Sequence, residues 1–168
     1  MVKNSTFRIE KETAMLARQH PGMPVSARAL GFGGLLPFVG LAIATLVDPA
    51  RASLWNQALM AYGAIILSFV GALHWAFAMT AGGLSEPERA GRFAWSVMPA
   101  LIAWAALLFA ASSVPLAVSL LLLGFWLHYL QDRMLAHRAD LPAWYLPLRL
   151  TLTAVASVCI VVGGFAVA

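Results

Sequence analysis

The chain is a succession of long apolar runs separated by short charged or turn-forming breaks. Five runs are long enough, or nearly so, to supply the ~20 helical residues that cross a hydrocarbon core. They lie at 29–47, 55–80, 95–111, 114–131 and 146–168. Helix is expected in all five. A strand crossing a membrane alternates apolar and polar residues, and VSLLLLGFWL (118–127) does not alternate. The expected fold class is all-α, an integral membrane bundle of five transmembrane helices occupying residues 29–168. An N-terminal segment of mixed charge, residues 1–28, precedes it. Within that segment FRIEKETAMLARQH (7–20) has the makings of a short interfacial helix, broken by Pro21 and Pro24 before the first span.

Composition agrees with the pattern. Of 168 residues, 61% are apolar and 11% charged, against about 45–50% and 25% in soluble domains. A small soluble fold leaves too much surface in water to hide that much apolar area. A soluble enzyme, a disordered tail and a nucleic-acid binder are therefore excluded. The formal charge of +4 does not restore the last, because the basic residues flank apolar runs and build no groove-sized patch. The single cysteine, Cys159, leaves no internal disulfide framework.

Basic residues set the expected orientation. Lys3, Arg8, Lys11, Arg18 and Arg28 precede the first span. Arg89 and Arg92 follow the second, and Arg133, Arg138 and Arg149 lie around the fourth loop. Only Arg51, of 11 lysines and arginines, falls on the other side. The N-terminus is expected in the cytoplasm and the C-terminus outside. A cleaved signal is not expected, since the basic leader is long and the only small-x-small candidate is Ala50-Arg51-Ala52.

Two prolines fall inside spans, Pro37 and Pro99, and each is expected to kink its helix. Gly63 and Gly71 share a face of the second span with Leu67, and Gly124 lies in the fourth. Small residues let helix backbones approach closely, so the second span is expected to be central.

Ionisable residues within a membrane are costly, and here they are few: His74, His128, Asp132 and Arg149. All fall near the cytoplasmic ends of their spans. Gly124, His128 and Asp132 share one helix face, so Asp132 can reach the His128 ring and fix its tautomer. Arg149, Thr153 and Ser157 make a second stripe. An Asp132–Arg149 ion pair is expected between the fourth and fifth spans, where the guanidinium fork suits a carboxylate. Such a cluster can be architectural, can line a site for a quinone or lipid head group, or can carry protons. Two histidines on separate helices can also hold a b-type haem, although His74 is expected about one turn deeper than His128. The ligand types His74, His128 and Asp132 suit zinc, but no metal motif links them and no metal is assigned. Trp75 beside His74 could floor a pocket, while Trp55, Trp95, Trp144 and Tyr145 read as interfacial markers. No G-x-S-x-G, H-E-x-x-H or P-loop is present. SEPERAGR (85–92) reads as a loop helix opened by a Ser85–Glu88 capping box.

Three segments, LGFGGLLPFVGLA (30–42), AYGAIILSFVGALHWAFA (61–78) and LPAWYLPLRLTLT (141–153), resemble the transmembrane protein 69-like family of small polytopic membrane proteins, a domain-of-unknown-function family. The family pattern places glycines before the histidine segment and after its tryptophan. This chain has Gly71-Ala72-Leu73-His74-Trp75-Ala76 there, which tightens local packing. The resemblance maps motif residues onto Pro37, Tyr62, His74, Trp75, Asp132, Trp144, Tyr145 and Arg149. It implies a bacterial cytoplasmic membrane or, in a eukaryote, the mitochondrial inner membrane, and it implies no activity.

With no reaction chemistry visible, the expected role is a non-enzymatic accessory or assembly component of a larger membrane complex. Its partners would be the lipid bilayer and another membrane protein or a second copy of itself, docked on small-residue faces. The alternative is a small-molecule binder or carrier whose polar pocket, on the cytoplasmic side, holds a quinone, lipid, haem or proton-coupled solute.

Overall fold

The structure is a computed structural model that describes residues 22–80, 82–137 and 141–167. The interfacial helix expected at 7–20 lies outside the described residues. The described residues form helices α1 (Val25–Gly33), α2 (Leu36–Val47), α3 (Ala52–Thr80), α4 (Glu86–Phe109), α5 (Val114–Ala136) and α6 (Tyr145–Phe165), with no strand among them. Five helical stretches are long and apolar enough to cross a membrane: Val25–Val47, made of α1 and α2, then Pro49–Thr80, α4, α5 and α6. The protein is a multi-pass helical membrane protein.

The distribution of polarity suits a lipid solvent. Large apolar side chains such as Leu30, Ile65, Phe69, Trp104 and Phe165 are exposed, whereas His74, His128, Asp132 and Thr153 are fully or almost fully buried. In water this arrangement would be inverted. In hydrocarbon, polar groups must find one another inside.

Three elements differ from the pattern read along the chain. Pro37 does not kink a continuous helix. The chain turns at Gly34 and Leu35, and Pro37 occupies the second position of α2. Its missing N–H is no loss in a first helical turn. The Tyr62 hydroxyl, from α3, donates to the Gly34 carbonyl at 2.9 Å and satisfies an acceptor at the break. Next, SEPERAGR is not a separate loop helix. It is the first part of α4, which runs unbroken from Glu86 through Pro99 to Phe109. The Ser85 N–H donates to Glu88 Oε2 at 3.0 Å, so the capping box starts the membrane helix itself. Lastly, α5 continues past Gln131 to Ala136. Arg133 is a good helix former and Asp132, though a weaker one, is no helix breaker, so nothing at the edge of the hydrocarbon ends the backbone pattern.

α3 touches α2, α4, α5 and α6, so it is central as expected. α6 closes the bundle by packing on α2 as well as α5. The glycines are consumed inside this chain. A Cβ on Gly71 would lie 2.9 Å from Pro99 Cβ and Cγ, so the pyrrolidine ring of α4 fills the notch that Gly71 leaves in α3. A Cβ on Gly124 would meet a methyl of Leu67, and one on Gly63 would meet Ile160, Leu121 and Phe38. These small-residue faces are occupied by the protein's own helices.

Candidate functional site

The polar residues gather at one end of the bundle, where α3 and α5 finish and α6 begins. Asp132 is fully buried at the centre. Arg149 Nε–H donates to Asp132 Oδ2 at 2.7 Å, which forms the ion pair expected between the last two spans. Helical spacing brings this about: Asp132 is four residues from the end of α5, and Arg149 is one turn into α6. The other carboxylate oxygen, Oδ1, accepts from His74 Nε2–H at 3.1 Å and from the Tyr145 hydroxyl at 3.2 Å. Three donors, a guanidinium among them, thus converge on the two oxygens of one carboxylate.

The expected His128–Asp132 contact is weaker than its i, i+4 spacing suggests. His128 Nε2 stands 3.8 Å from Oδ1, beyond hydrogen-bond range, and His74 takes the closer place from across the bundle. The expected offset in depth is also absent. The His74 and His128 rings meet edge to face with centroids 4.9 Å apart. Because α5 ends at Ala136 rather than Gln131, His128 lies eight residues from its helix end and His74 six from Thr80. Both rings are fully buried.

Trp75 does not join the cluster. It is 49% exposed and packs on Phe93. Neighbouring residues on a helix point about 100° apart, so a buried His74 turns Trp75 outward. Two residues read as interfacial markers do join. Tyr145 bonds Asp132 directly, and its position one turn before Arg149 on the Thr153–Ser157 stripe is a signal that was available in the sequence. Trp95 Nε1–H donates to His128 Nδ1 at 3.3 Å. Nothing in the spacing pointed to it, because α4 and α5 are brought together only by the fold.

The cluster has the ligand types of a metal centre. One ligand atom from each of His74, His128 and Asp132 lies within 4.8 Å of the others. The hydrogen-bond pattern opposes a metal, however. Trp95 donates into His128 Nδ1, so the neutral ring carries its hydrogen on Nε2, the atom that faces Asp132. His74 likewise presents Nε2–H to the carboxylate. A metal bound at the two Nε2 atoms would have to displace those hydrogens and, at His128, turn Nδ1–H toward the Trp95 donor. A haem fits no better, since two rings in edge-to-face contact leave no space for a porphyrin between them.

A cavity of about 380 Å³ adjoins the cluster. Its walls come from α1, the α1–α2 turn, α2, α3, α5 and α6, and most are apolar. Trp144, Tyr145, Arg149 and Thr153 are its polar residues. Trp144 Nε1, Arg149 Nη2 and Thr153 Oγ1 are buried and have no hydrogen-bond partner. The α1–α2 break widens this side of the bundle, and the exposed Leu30 and Phe69 at the rim put the cavity next to the hydrocarbon. A second cavity of about 530 Å³, between α4 and α5, is lined by Glu88, Arg92, Trp95 and Gln131. Its polar groups are already engaged: Glu88 with Ser85, Arg92 Nη1 with Gln131 Oε1 at 3.5 Å, and Trp95 with His128.

Comparison with known proteins gives the family context. Residues 23–165 match the model of a family described as proteins of unknown function, DUF3429. The chain is 37% identical over 139 residues to transmembrane protein 69 of Xenopus tropicalis, covering 79% of this chain and 51% of that protein. It is 31% identical over 140 residues to transmembrane protein 69 of Mus musculus, covering 83% of this chain and 55% of that protein. The chain thus spans about half the length of these relatives. No solved structure matches it.

Proposed function

Because the chain belongs to the DUF3429 family, whose description names no activity, its role has to be read from its own site, and we propose that it is a non-enzymatic membrane protein that binds a lipid-soluble small molecule. The observation that carries this reading is the 380 Å³ cavity, three of whose lining residues, Trp144, Arg149 and Thr153, each hold a buried hydrogen-bonding atom without a partner. An unpaired buried polar group costs about 1–3 kcal/mol. A ligand with an acceptor head and an apolar body removes that cost and fills the space. Ligand sites share this character, a mostly apolar concavity with a few orienting polar groups.

The polar cluster supports the cavity rather than reacting in it. Asp132 holds Arg149 and Tyr145 in place at one wall, and His74 completes the acceptor's coordination. Docking on small-residue faces, the basis of an accessory role, has less support. Gly63, Gly71 and Gly124 pack within the chain and offer no surface to a partner.

The test is purification in mild detergent, solvent extraction and mass spectrometry of what is released. Wild-type protein is expected to release one amphiphile at near-stoichiometric yield. Gly31→Phe, which fills the cavity from α1 without touching Asp132, should release far less. A wild-type preparation without such a molecule, or a variant that retains it equally, overturns the proposal.

A further inference from the structure

We infer that the ligand is a neutral quinone, a planar ring with opposed carbonyls and an apolar tail, rather than an anionic lipid. This rests on reading the 380 Å³ cavity as a ligand site.

Charge is the first argument. Among the described residues that line the cavity, Arg149 is the only charged one, and its charge is answered by Asp132 at 2.7 Å. The carboxylate accepts from three donors, Arg149, His74 and Tyr145. An anionic head placed against Arg149 would share one guanidinium with Asp132 and leave a net negative charge in a low-dielectric interior. A carbonyl takes the free N–H without adding charge.

Shape and donor placement are the second. Phe38, Phe69, Phe125, Trp144 and Tyr145 all line the cavity. Aromatic walls favour a planar ring, which they meet in offset or edge-on geometry. Phe38 is itself set by edge contacts to Tyr62 and Phe125, at 4.9 and 6.3 Å between centroids, so the wall is rigid. Arg149 and Thr153 stand four residues apart on α6, a rise of about 6 Å. Both therefore lie on one face of the helix, and a ring carbonyl would accept from Arg149 Nη2 or from Thr153 Oγ1, the groups that lack a partner. The tail leaves past Leu30 and Phe69 into the hydrocarbon.

The experiment uses the full chain in mild detergent, with a decyl-substituted para-benzoquinone as probe and phosphatidylglycerol and palmitate as anionic comparators. Binding is read as a rise in melting temperature and by competition. The quinone is expected to stabilise wild-type protein saturably, and the anionic lipids neither to match nor to displace it. Thr153→Val leaves Asp132 and its donors untouched, and should weaken quinone binding at least fivefold while the ligand-free protein is no less stable than wild type, since an unpaired hydroxyl is removed. Stabilisation by an anionic lipid equal to or above that by the quinone overturns the quinone assignment and leaves the ligand-site reading standing. If no probe stabilises the protein and extraction also yields nothing, both fall. Undiminished quinone binding by Thr153→Val overturns the placement on α6.

Discussion

Replacing Asp132 with asparagine tests the arrangement on which the site depends. Asp132 accepts from Arg149 Nε at 2.7 Å, from His74 Nε2 at 3.1 Å and from the Tyr145 hydroxyl at 3.2 Å. Asparagine has nearly the same shape but one acceptor oxygen and one donor group. If its oxygen faces His74 and Tyr145, its amide meets the Arg149 N–H donor to donor. If its oxygen faces Arg149, the other two donors lose their acceptor. In either orientation the Arg149 charge, only 8% exposed, has no counterion, since Asp132 is its only ion-pair partner among the described residues. Removing one member of a buried pair costs about 3–5 kcal/mol, and that is the expected loss for Asp132→Asn and, by the same argument, for Arg149→Gln. The double variant removes both charges and lets the new amide donate to the glutamine oxygen. It should recover much of the loss, with a coupling of at least about 2 kcal/mol. Equilibrium unfolding of the purified protein in mixed micelles of rising dodecyl sulfate fraction measures all four corners of the cycle. Additive losses, within about 0.5 kcal/mol, or an Asp132→Asn protein as stable as wild type, would refute the reasoning.

Three further outcomes follow from the packing and the polar cluster. Gly71→Ala should destabilise by about 1–3 kcal/mol through overpacking, because its Cβ would fall 2.9 Å from Pro99. Pro99→Ala should relieve that loss, and Gly40→Ala, which meets nothing within 4 Å, should be neutral in the same unfolding assay. Wild-type protein should show no visible-range bands of stoichiometrically bound cobalt(II), whereas Trp95→Phe, which frees the His128 tautomer, should bind cobalt at least about tenfold more tightly; tight binding by wild type would undo the tautomer argument. In a Cys159→Ser background, single cysteines at Gly82→Cys and Ser112→Cys should react with impermeant maleimide from opposite faces of sealed vesicles, with the first on the cytoplasmic face, and labelling of both from one face would contradict the five-span alternation.

Membership of the bundle was legible along the chain, because a hydrocarbon solvent imposes a length and a composition that individual segments must satisfy alone. The centrality of α3 was legible too, since glycines permit close approach wherever the partner helix lies. Helix ends were less so. Ser85–Glu88 marked a true start, but nothing showed that the helix it opens runs on into the membrane. Pro37 announced an interruption, and only the position of Gly34 and the bond from Tyr62 turned a kink into a break.

The sequence by itself selected which residues had to be buried together: four ionisable groups in a lipid solvent have few alternatives to one another. It also paired Asp132 with Arg149, because one short loop joins their helices and their positions face each other. The rest was settled by packing between elements distant in the chain. His74, 58 residues from Asp132, displaced His128 as the closer histidine. Trp95, 33 residues from His128, chose that ring's tautomer and with it the chemistry open to the cluster. The cavity beside Arg149 exists only where α1, α2, α3, α5 and α6 fail to meet, and a gap between helices is a property of their arrangement in space that no single segment encodes.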